Sequence, residues 1–218
     1  NYISMYGAPD FTFNYGNEQI SESPEAKQFF DELRQKYENG TIKMDDYLKA
    51  KQFGLINVQR PTLAQNLDYF ITFQNYFYFV RYLLWNYSGR QNDVEGHMEN
   101  THGNFITGIP FIDDNLWGDQ SEMPAKFQNE STVKFFMLPL ILGLIGFFFQ
   151  LNRDFGRFYS ILSLFILTSV MIVFYTGMKP FEPRERDYAM VGSFYAFAIW
   201  IGLGVAAIYW LIQKKIKT

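Results

Sequence analysis

The 218 residues carry 19 Lys and Arg against 22 Asp and Glu, a formal net charge of -3, and 20% of them are aromatic. No stretch supplies the basic face that phosphate binding needs, which argues against nucleic acid as a partner. The absence of cysteine excludes disulfides, thiolate metal sites and cysteine nucleophiles. These averages conceal two halves. Residues 1–133 mix charged, amide and aromatic side chains, whereas from Phe135 onward the charges withdraw into two short loops and a C-terminal tail. The opening NYISMYGAPDF has neither the basic nor the apolar region of a signal peptide, so the chain is expected to be an internal piece of a longer polypeptide.

Within residues 23–51 the pattern predicts two amphipathic helices separated by the turn Asn39-Gly40, with Phe29, Phe30, Leu33 and Tyr37 at helical spacing. After Pro61, the run TLAQ forms a capping box between Thr62 and Gln65 and opens a helix reaching to about Tyr87. Its apolar positions are Leu63, Leu67, Phe70, Phe73, Phe77, Val80 and Leu84, and its only charges are Asp68 and Arg81. So apolar a helix is expected to pack against a bundle, with a position along a membrane surface as the alternative. From 89 to 130 Gly, Asn, Asp and Pro recur, which predicts an ordered, loop-rich region.

Three charge-free stretches follow, at residues 135–151, 158–178 and 190–212. At about 1.5 Å per residue the first reaches roughly 25 Å, short of a hydrocarbon core of about 30 Å, while the others are long enough. Gly192, Ser193, Ala196, Gly202, Gly204, Ala206 and Ala207 would let a neighbouring helix approach closely. Tyr159, Tyr175, Tyr209 and Trp210 gather near the ends, as headgroup-level anchors do. The alternative, buried helices of a soluble all-α domain, would keep a polar stripe that these segments lack. The expected fold is therefore mainly α: a helical bundle fragment with three transmembrane helices in residues 134–218, and an aromatic-rich, largely helical extramembrane head in residues 1–133.

Counting Lys and Arg near the spans gives a tie, with Lys126, Lys134, Lys179, Arg184 and Arg186 on one side and Arg153, Arg157, Lys214, Lys215 and Lys217 on the other. The KKIK tail favours anionic cytoplasmic lipids and so places the head and loop 179–189 on the outer, periplasmic face of a bacterial inner membrane.

Three clusters could carry chemistry. Arg90, Gln91, Asn92 and Asp93 bring together a guanidinium, two amides and a carboxylate, groups that bind sugars or phosphates; the alternative is a solvated helix end with Gly89 at the cap and Asp93 paired to Arg90. Glu95, His97, Glu99 and His102 contain metal-ligating types, but the two histidines lie five apart, a spacing that matches no ligand motif, and no metal is expected. The loop 179–188 (KPFEPRERDY) sets four alternating charges tightly between two apolar stretches. Arg184 and Arg186 can clamp a phosphate bidentately, with Glu185, Asp187 and Tyr188 in support, or the loop can be a salt-bridged turn that anchors the spans. No phosphate-cradling glycine loop, nucleophile elbow or catalytic triad is present in the sequence.

The strings WNYSGRQND (85–93), GNFITGIPFIDD (103–114), FFMLPLILGLIGFFF (135–149) and PRERDYAMVGSFYAFAIWIGLGV (183–205) resemble Bacteroidetes membrane proteins related to eukaryotic transmembrane protein 260. That group is protein O-mannosyltransferase-like, with the C-type glycosyltransferase architecture, and the likeness covers about residues 61–205. It implies a multi-span enzyme that moves a sugar of mannose type from a polyprenyl-phosphate carrier to a protein hydroxyl on the outer membrane face. Its partners would be membrane lipid, further transmembrane helices of the full-length protein and the acceptor protein; the lipid-linked sugar is a substrate, and no cofactor is implied. In that architecture a carboxylate deprotonates the acceptor and cationic groups stabilise the departing phosphate. The catalytic acid lies in a first outer loop to which no segment here corresponds, so no catalytic base is assigned. The alternative is a non-catalytic membrane scaffold or transporter fragment, the transporter being disfavoured by spans without an internal charge.

Overall fold

The computed structural model describes residues 10–17, 23–96, 99–178 and 185–216, and the protein is mainly helical. It divides into two compact units, Asn1–Tyr69 and Phe70–Thr218.

In the first unit, β1 (Phe11–Phe13) pairs antiparallel with β2 (Ile56–Val58), Phe11 opposite Val58 and Phe13 opposite Ile56. Helix α1 (Pro24–Glu38) starts where Ser23 Oγ accepts the Ala26 N–H and Pro24 presets the first turn. It stops at Asn39, and Gly40, at φ 65°, turns the chain towards α2 (Met44–Gln52). Phe30, Leu33, Tyr47, Ala50, Leu55 and Ile56 are buried together, and Phe11 and Phe13 pack onto them from the strand. Tyr37, at helical spacing with Phe30 and Leu33, stays half exposed and meets Phe11 and Phe13 edge-on at 5.3 and 5.5 Å. The strand pair has no counterpart in the sequence reading, because three residues on each side hold too little alternation to register.

Lys36 Nζ and Asp46 Oδ1, 2.9 Å apart, tie α1 to α2. That hydrogen bond is the main cause holding the Asp46 carboxyl below its ordinary value. Because the folded carboxyl titrates below the unfolded one, its contribution is complete above about pH 4 and is lost as pH falls through the lowered value. Asp46→Asn should cost at most about 1 kcal/mol at neutral pH, the range of partly exposed pairs, and should flatten the acid limb of the stability curve followed by urea unfolding of the full chain.

Helix α3 (Leu63–Asp68) opens on the expected capping box: Thr62 Oγ1 accepts the Gln65 N–H at 3.3 Å and Gln65 Oε1 accepts the Thr62 N–H at 2.8 Å. Helical winding continues to Tyr87, but Tyr69–Val80 winds as a π-helix before α4 (Arg81–Tyr87) resumes α geometry. A π stretch this long departs from the single-turn bulges in which such winding is usually found. It stacks Phe73 on Phe77 at 5.5 Å and turns Phe73, Phe77, Tyr78 and Phe79 inward, where a 3.6-residue period would not place all four on one face.

Two short strands, β3 (Gly89–Arg90) and β4 (Val133–Lys134), pair antiparallel and bracket a loop-rich region that holds the short helix α5 (Pro110–Trp117) and two 3-10 turns, Gln120–Glu122 and Ala125–Phe127. Gly89 has φ 152°, and a Cβ there would strike the backbone carbonyls of Val133 and Ile106, so the strand pair requires glycine at this position.

Helices α6 (Leu138–Arg153), α7 (Phe155–Leu167), α8 (Val170–Thr176) and α9 (Val191–Ile216) complete the second unit. The runs Phe155–Thr176 and Asp187–Ile216 are long and apolar enough to cross a membrane, with only 17% and 28% of their most apolar windows buried. Helix α6 is shorter, at 16 residues, because Phe136 and Met137 take left-handed φ values of 53° and 57° and the winding begins after them. The run Phe155–Thr176 is interrupted at Thr168 and Ser169, whose hydroxyls donate to the carbonyls of Leu164 and Phe165 at 2.7 and 2.6 Å.

Helices α6 and α9 meet at backbone distance. A Cβ on Gly146 would collide with the Trp200 carbonyl, one on Gly204 with the Leu142 carbonyl, and one on Gly143 with the Phe197 ring. The contacts advance in the same direction on both helices, from Gly143 with Phe197 to Phe149 with Trp210, so the two run parallel. A buried hydrogen bond crosses between them, Trp200 Nε1 donating to Gln150 Oε1 at 2.8 Å, and Phe147, Phe158, Phe165 and Phe197 surround that indole. By contrast Gly202, also among the small residues of α9, faces open space. Gly146→Val and Gly204→Val should each lower stability by about 1–3 kcal/mol or more, since backbone must move, whereas Gly202→Val should be nearly silent; thermal unfolding in detergent compares the three.

Candidate functional site

Arg81 is the first residue of α4, at the end of an aromatic run, and its side chain is 3% exposed. A guanidinium so enclosed must be neutralised and hydrogen-bonded. Nη1 and Nη2 donate to Glu185 Oε1 and Oε2 at 3.1 and 2.7 Å, a bidentate pair; Nη1 also donates to the Gly103 carbonyl at 2.8 Å and Nε to the Phe77 carbonyl at 3.1 Å. The faces of the group are covered by rings, with Phe77 at 4.0 Å, Trp85 at 4.5 Å and Tyr82 at 4.8 Å. Trp85 Nε1 shares the Gly103 carbonyl at 3.0 Å.

Tyr82 completes the arrangement. Its phenol donates to Glu185 Oε2 at 2.5 Å and accepts the Arg186 N–H at 3.1 Å. Burial, and then the charge of Glu185, push the phenol well above its ordinary pKa, so it stays protonated and keeps donating. One carboxylate is thus held by three donors from α4, and the chain that follows it enters a 3-10 turn (Asp187–Met190) leading into α9. Tyr87, further along α4, donates to the Phe194 carbonyl on α9 at 2.6 Å.

Of the loop residues singled out from the sequence, Arg184 lies outside the described residues. Glu185 directs both oxygens to Arg81 and Tyr82. Asp187 Oδ1 accepts the Tyr188 N–H at 2.9 Å, and the Tyr188 ring is 62% exposed.

Arg90 lies over the Trp85 indole at 4.1 Å, on a ring that also faces Arg81, and donates Nε to the Asn92 carbonyl at 2.9 Å. Gln91 and Asn92 are buried, with their amides engaged inside the loop region. Asn92 Nδ2 donates to the carbonyls of Thr101 and Phe127, while its Oδ1 accepts from Gly103 and Val94. Gln91 Nε2 donates to Asn100 and Gln120, and its Oε1 accepts from Asn104. Asp93 accepts from Asn129 Nδ2 at 2.5 Å. His97 lies outside the described residues, and His102 accompanies Thr101 and the Phe127 ring. Among the described residues no three His, Cys, Asp or Glu side chains converge on a metal position.

Beside Gln91 opens a cavity of about 960 Å³, walled by Asp114, Asp119, Gln120, Glu130 and Lys134. Asp113 also reaches its wall, but its carboxylate is occupied by the N–H groups of Thr107 and Gly108 and by the Thr107 hydroxyl at 2.7–2.8 Å. Ser121 donates its hydroxyl and N–H to Asp119, which holds that carboxyl below its ordinary value. With three wall carboxylates against one ammonium, the cavity disfavours a phosphate and suits hydroxyl and amide groups.

Fold and geometry therefore define a mainly helical protein with, among the described residues, two helical runs long and apolar enough to cross a membrane, and with a buried ion pair that ties the chain before α9 to an aromatic helix. Comparison of the chain with protein-family models, curated proteins and solved structures finds no match.

The sequence reading did not join Arg81 to Glu185. The signal was present as a single cation inside YFYFVRYLLW, which needs a carboxylate from elsewhere in the chain. Arg81→Gln should cost about 3–5 kcal/mol because it strands Glu185, and Arg81→Gln with Glu185→Gln together should cost less than the sum of the two. Denaturant unfolding of the four proteins in detergent measures the coupling.

Proposed function

We propose that this chain is the membrane-embedded part of an enzyme that transfers a sugar of mannose type from a polyprenyl-phosphate carrier to protein hydroxyls. In this reading three helical segments cross a bacterial inner membrane: α6, the α7–α8 run, and α9, with loop 179–189 and the preceding polar region on the periplasmic side. The apolar surface of these helices supports it, since Phe148, Phe174, Val205 and Ile212 are each more than half exposed and that face is too large to leave in water. Helix α6, at about 24 Å, is accommodated by local thinning of the bilayer, with Arg153 extending towards the headgroups. The parallel course of α6 and α9 is what an intervening span requires.

The observation that carries the proposal is the anchoring of Glu185 by Arg81 and Tyr82 directly before an apolar helix. It holds Glu185, inside the RERDY string that is the most specific part of the family resemblance, in one position relative to α4. Arg184 and Arg186 then bind the carrier phosphate on either side of that fixed residue and stabilise the charge of the departing lipid phosphate. The acceptor hydroxyl approaches through the cavity beside Gln91, with Gln91 in its wall and Arg90 and Asn92 its neighbours along the chain, and the deprotonating carboxylate comes from another part of a longer protein. A second reading, a membrane scaffold without catalysis, is favoured by the complete internal pairing of Glu185, Gln91 and Asn92.

The full-length protein in detergent, given polyprenyl-phosphate mannose and a hydroxyl-bearing acceptor peptide, should yield glycopeptide only when the lipid is present. Arg184→Gln with Arg186→Gln should reduce donor affinity and turnover by about 10- to 100-fold, the value of one or two charge-assisted hydrogen bonds, with the unfolding temperature unchanged. Unchanged affinity and turnover would remove the arginines from the reaction, and no lipid-dependent product at all would favour the scaffold.

A further inference from the structure

At the ends of α6 and α9 remote from Glu185 lies a second feature. A groove of about 660 Å³ runs between the two helices, within the range of ligand-sized clefts, and its walls are Ile141, Leu144, Phe148, Ala207 and Leu211. It closes at Trp210, which has two cations close by: the Arg153 guanidinium 5.2 Å from the ring and the Lys214 ammonium 5.4 Å from it. Arg153 also lies 5.4 Å from the Phe149 ring.

The groove lining contains no carboxylate. Asp154, adjacent to Arg153, is committed elsewhere, capping α7 through the Arg157 N–H and pairing with the Arg157 side chain at 3.3 Å. Among the described residues Arg153 has no ion pair. Proximity to rings does not consume the N–H donors of a guanidinium, whose planar fork suits two oxygens of a phosphate. An apolar trough that ends in an aromatic ring with two cations close by matches a molecule with a hydrocarbon chain and an anionic head, and matches it at headgroup depth.

We infer that this groove is a binding site for an anionic phospholipid, one acyl chain lying between α6 and α9 and the phosphate held by Arg153 and Lys214. The inference rests on the membrane-spanning reading above and is independent of the sugar-transfer chemistry. It commits to lipid because the trough would leave the cations of a free phosphate site without their apolar half. A further protein helix would need a carboxylate to meet Arg153. A zwitterionic lipid offers the same chains but brings its own cation close to the two already present.

The test uses the full chain in bilayer discs of phosphatidylcholine doped with phosphatidylglycerol, the retained lipid being counted by native mass spectrometry after release. Phosphatidylglycerol should be retained in preference to phosphatidylcholine, and Arg153→Gln with Lys214→Gln should cut that preference roughly tenfold. Leu211→Trp, which keeps both cations and fills the trough, should cut it as well. Lys134→Gln, outside the groove, should not, and glycerol phosphate in solution should not compete. Equal retention of the two lipids by the unaltered protein, a preference that survives both groove variants, or a groove covered by a second copy of the chain with no lipid retained would each overturn the site. Flotation of the same preparation with vesicles separates the readings: a chain that inserts yet shows no preference overturns this site alone, whereas one that fails to insert overturns the membrane reading along with it.

Discussion

A guanidinium enclosed by Phe77, Tyr82 and Trp85 has no water to solvate it, and its burial is tolerable only because a carboxylate arrives with matching geometry. Glu185 arrives from a point 104 residues further along the chain, and Tyr82 supplies a third donor to the same group. The pair therefore does more than neutralise charge. Because α4 also hydrogen-bonds to α9 through Tyr87, and its Arg81 and Trp85 both hold the Gly103 carbonyl, one end of the helical bundle and the loop-rich region are referred to a single buried ion pair. Isolated polar bonds inside an apolar bundle tolerate little misalignment, which makes such a pair a determinant of register as well as of stability.

Where the ion pair ends, packing of small residues takes over. Gly146 and Gly204 bring α6 and α9 to backbone contact, Gly143 makes room for the Phe197 ring, and the Trp200 to Gln150 hydrogen bond crosses the same seam. In the membrane-spanning reading these two devices answer one problem: helices whose outer faces are apolar gain nothing from burying more apolar surface when the surroundings are lipid, so van der Waals fit and a few internal hydrogen bonds must hold them together. The sparse burial of the two longest apolar runs follows from the same division of labour, tight on the inner seam and greasy outside.

The two polar regions of the second unit differ in character in a way that bears on any reaction. The arginines of the RERDY segment flank a glutamate that is already spoken for, whereas the cavity beside Gln91 is edged by Asp114, Asp119 and Glu130. In the proposed reading, the arginines and the carboxylate-edged cavity would take opposite ligands, as a transfer between a phosphorylated lipid and a neutral hydroxyl requires. Buried Gln91 and Asn92 belong to the framework of that cavity, since each amide already has its partners within the loops.

Much of this is legible in the sequence. Local signals, which depend on residues a few positions apart, marked the capping box at Thr62, the turn at Asn39-Gly40, helices α1 and α2 and the long apolar runs, because hydrogen-bond capping and hydropathy act over one or two turns. What the tertiary structure alone decided was which distant groups meet: Glu185 with Arg81, Gln150 with Trp200, Gly146 with Gly204, Phe11 with Val58. It also decided that the helix through Tyr69–Val80 winds as a π-helix and that α6 begins only at Leu138. Composition states that a buried cation needs an anion and that a glycine permits close approach, but the choice of partner is made by the path of the chain in space, and no spacing along the sequence encodes it.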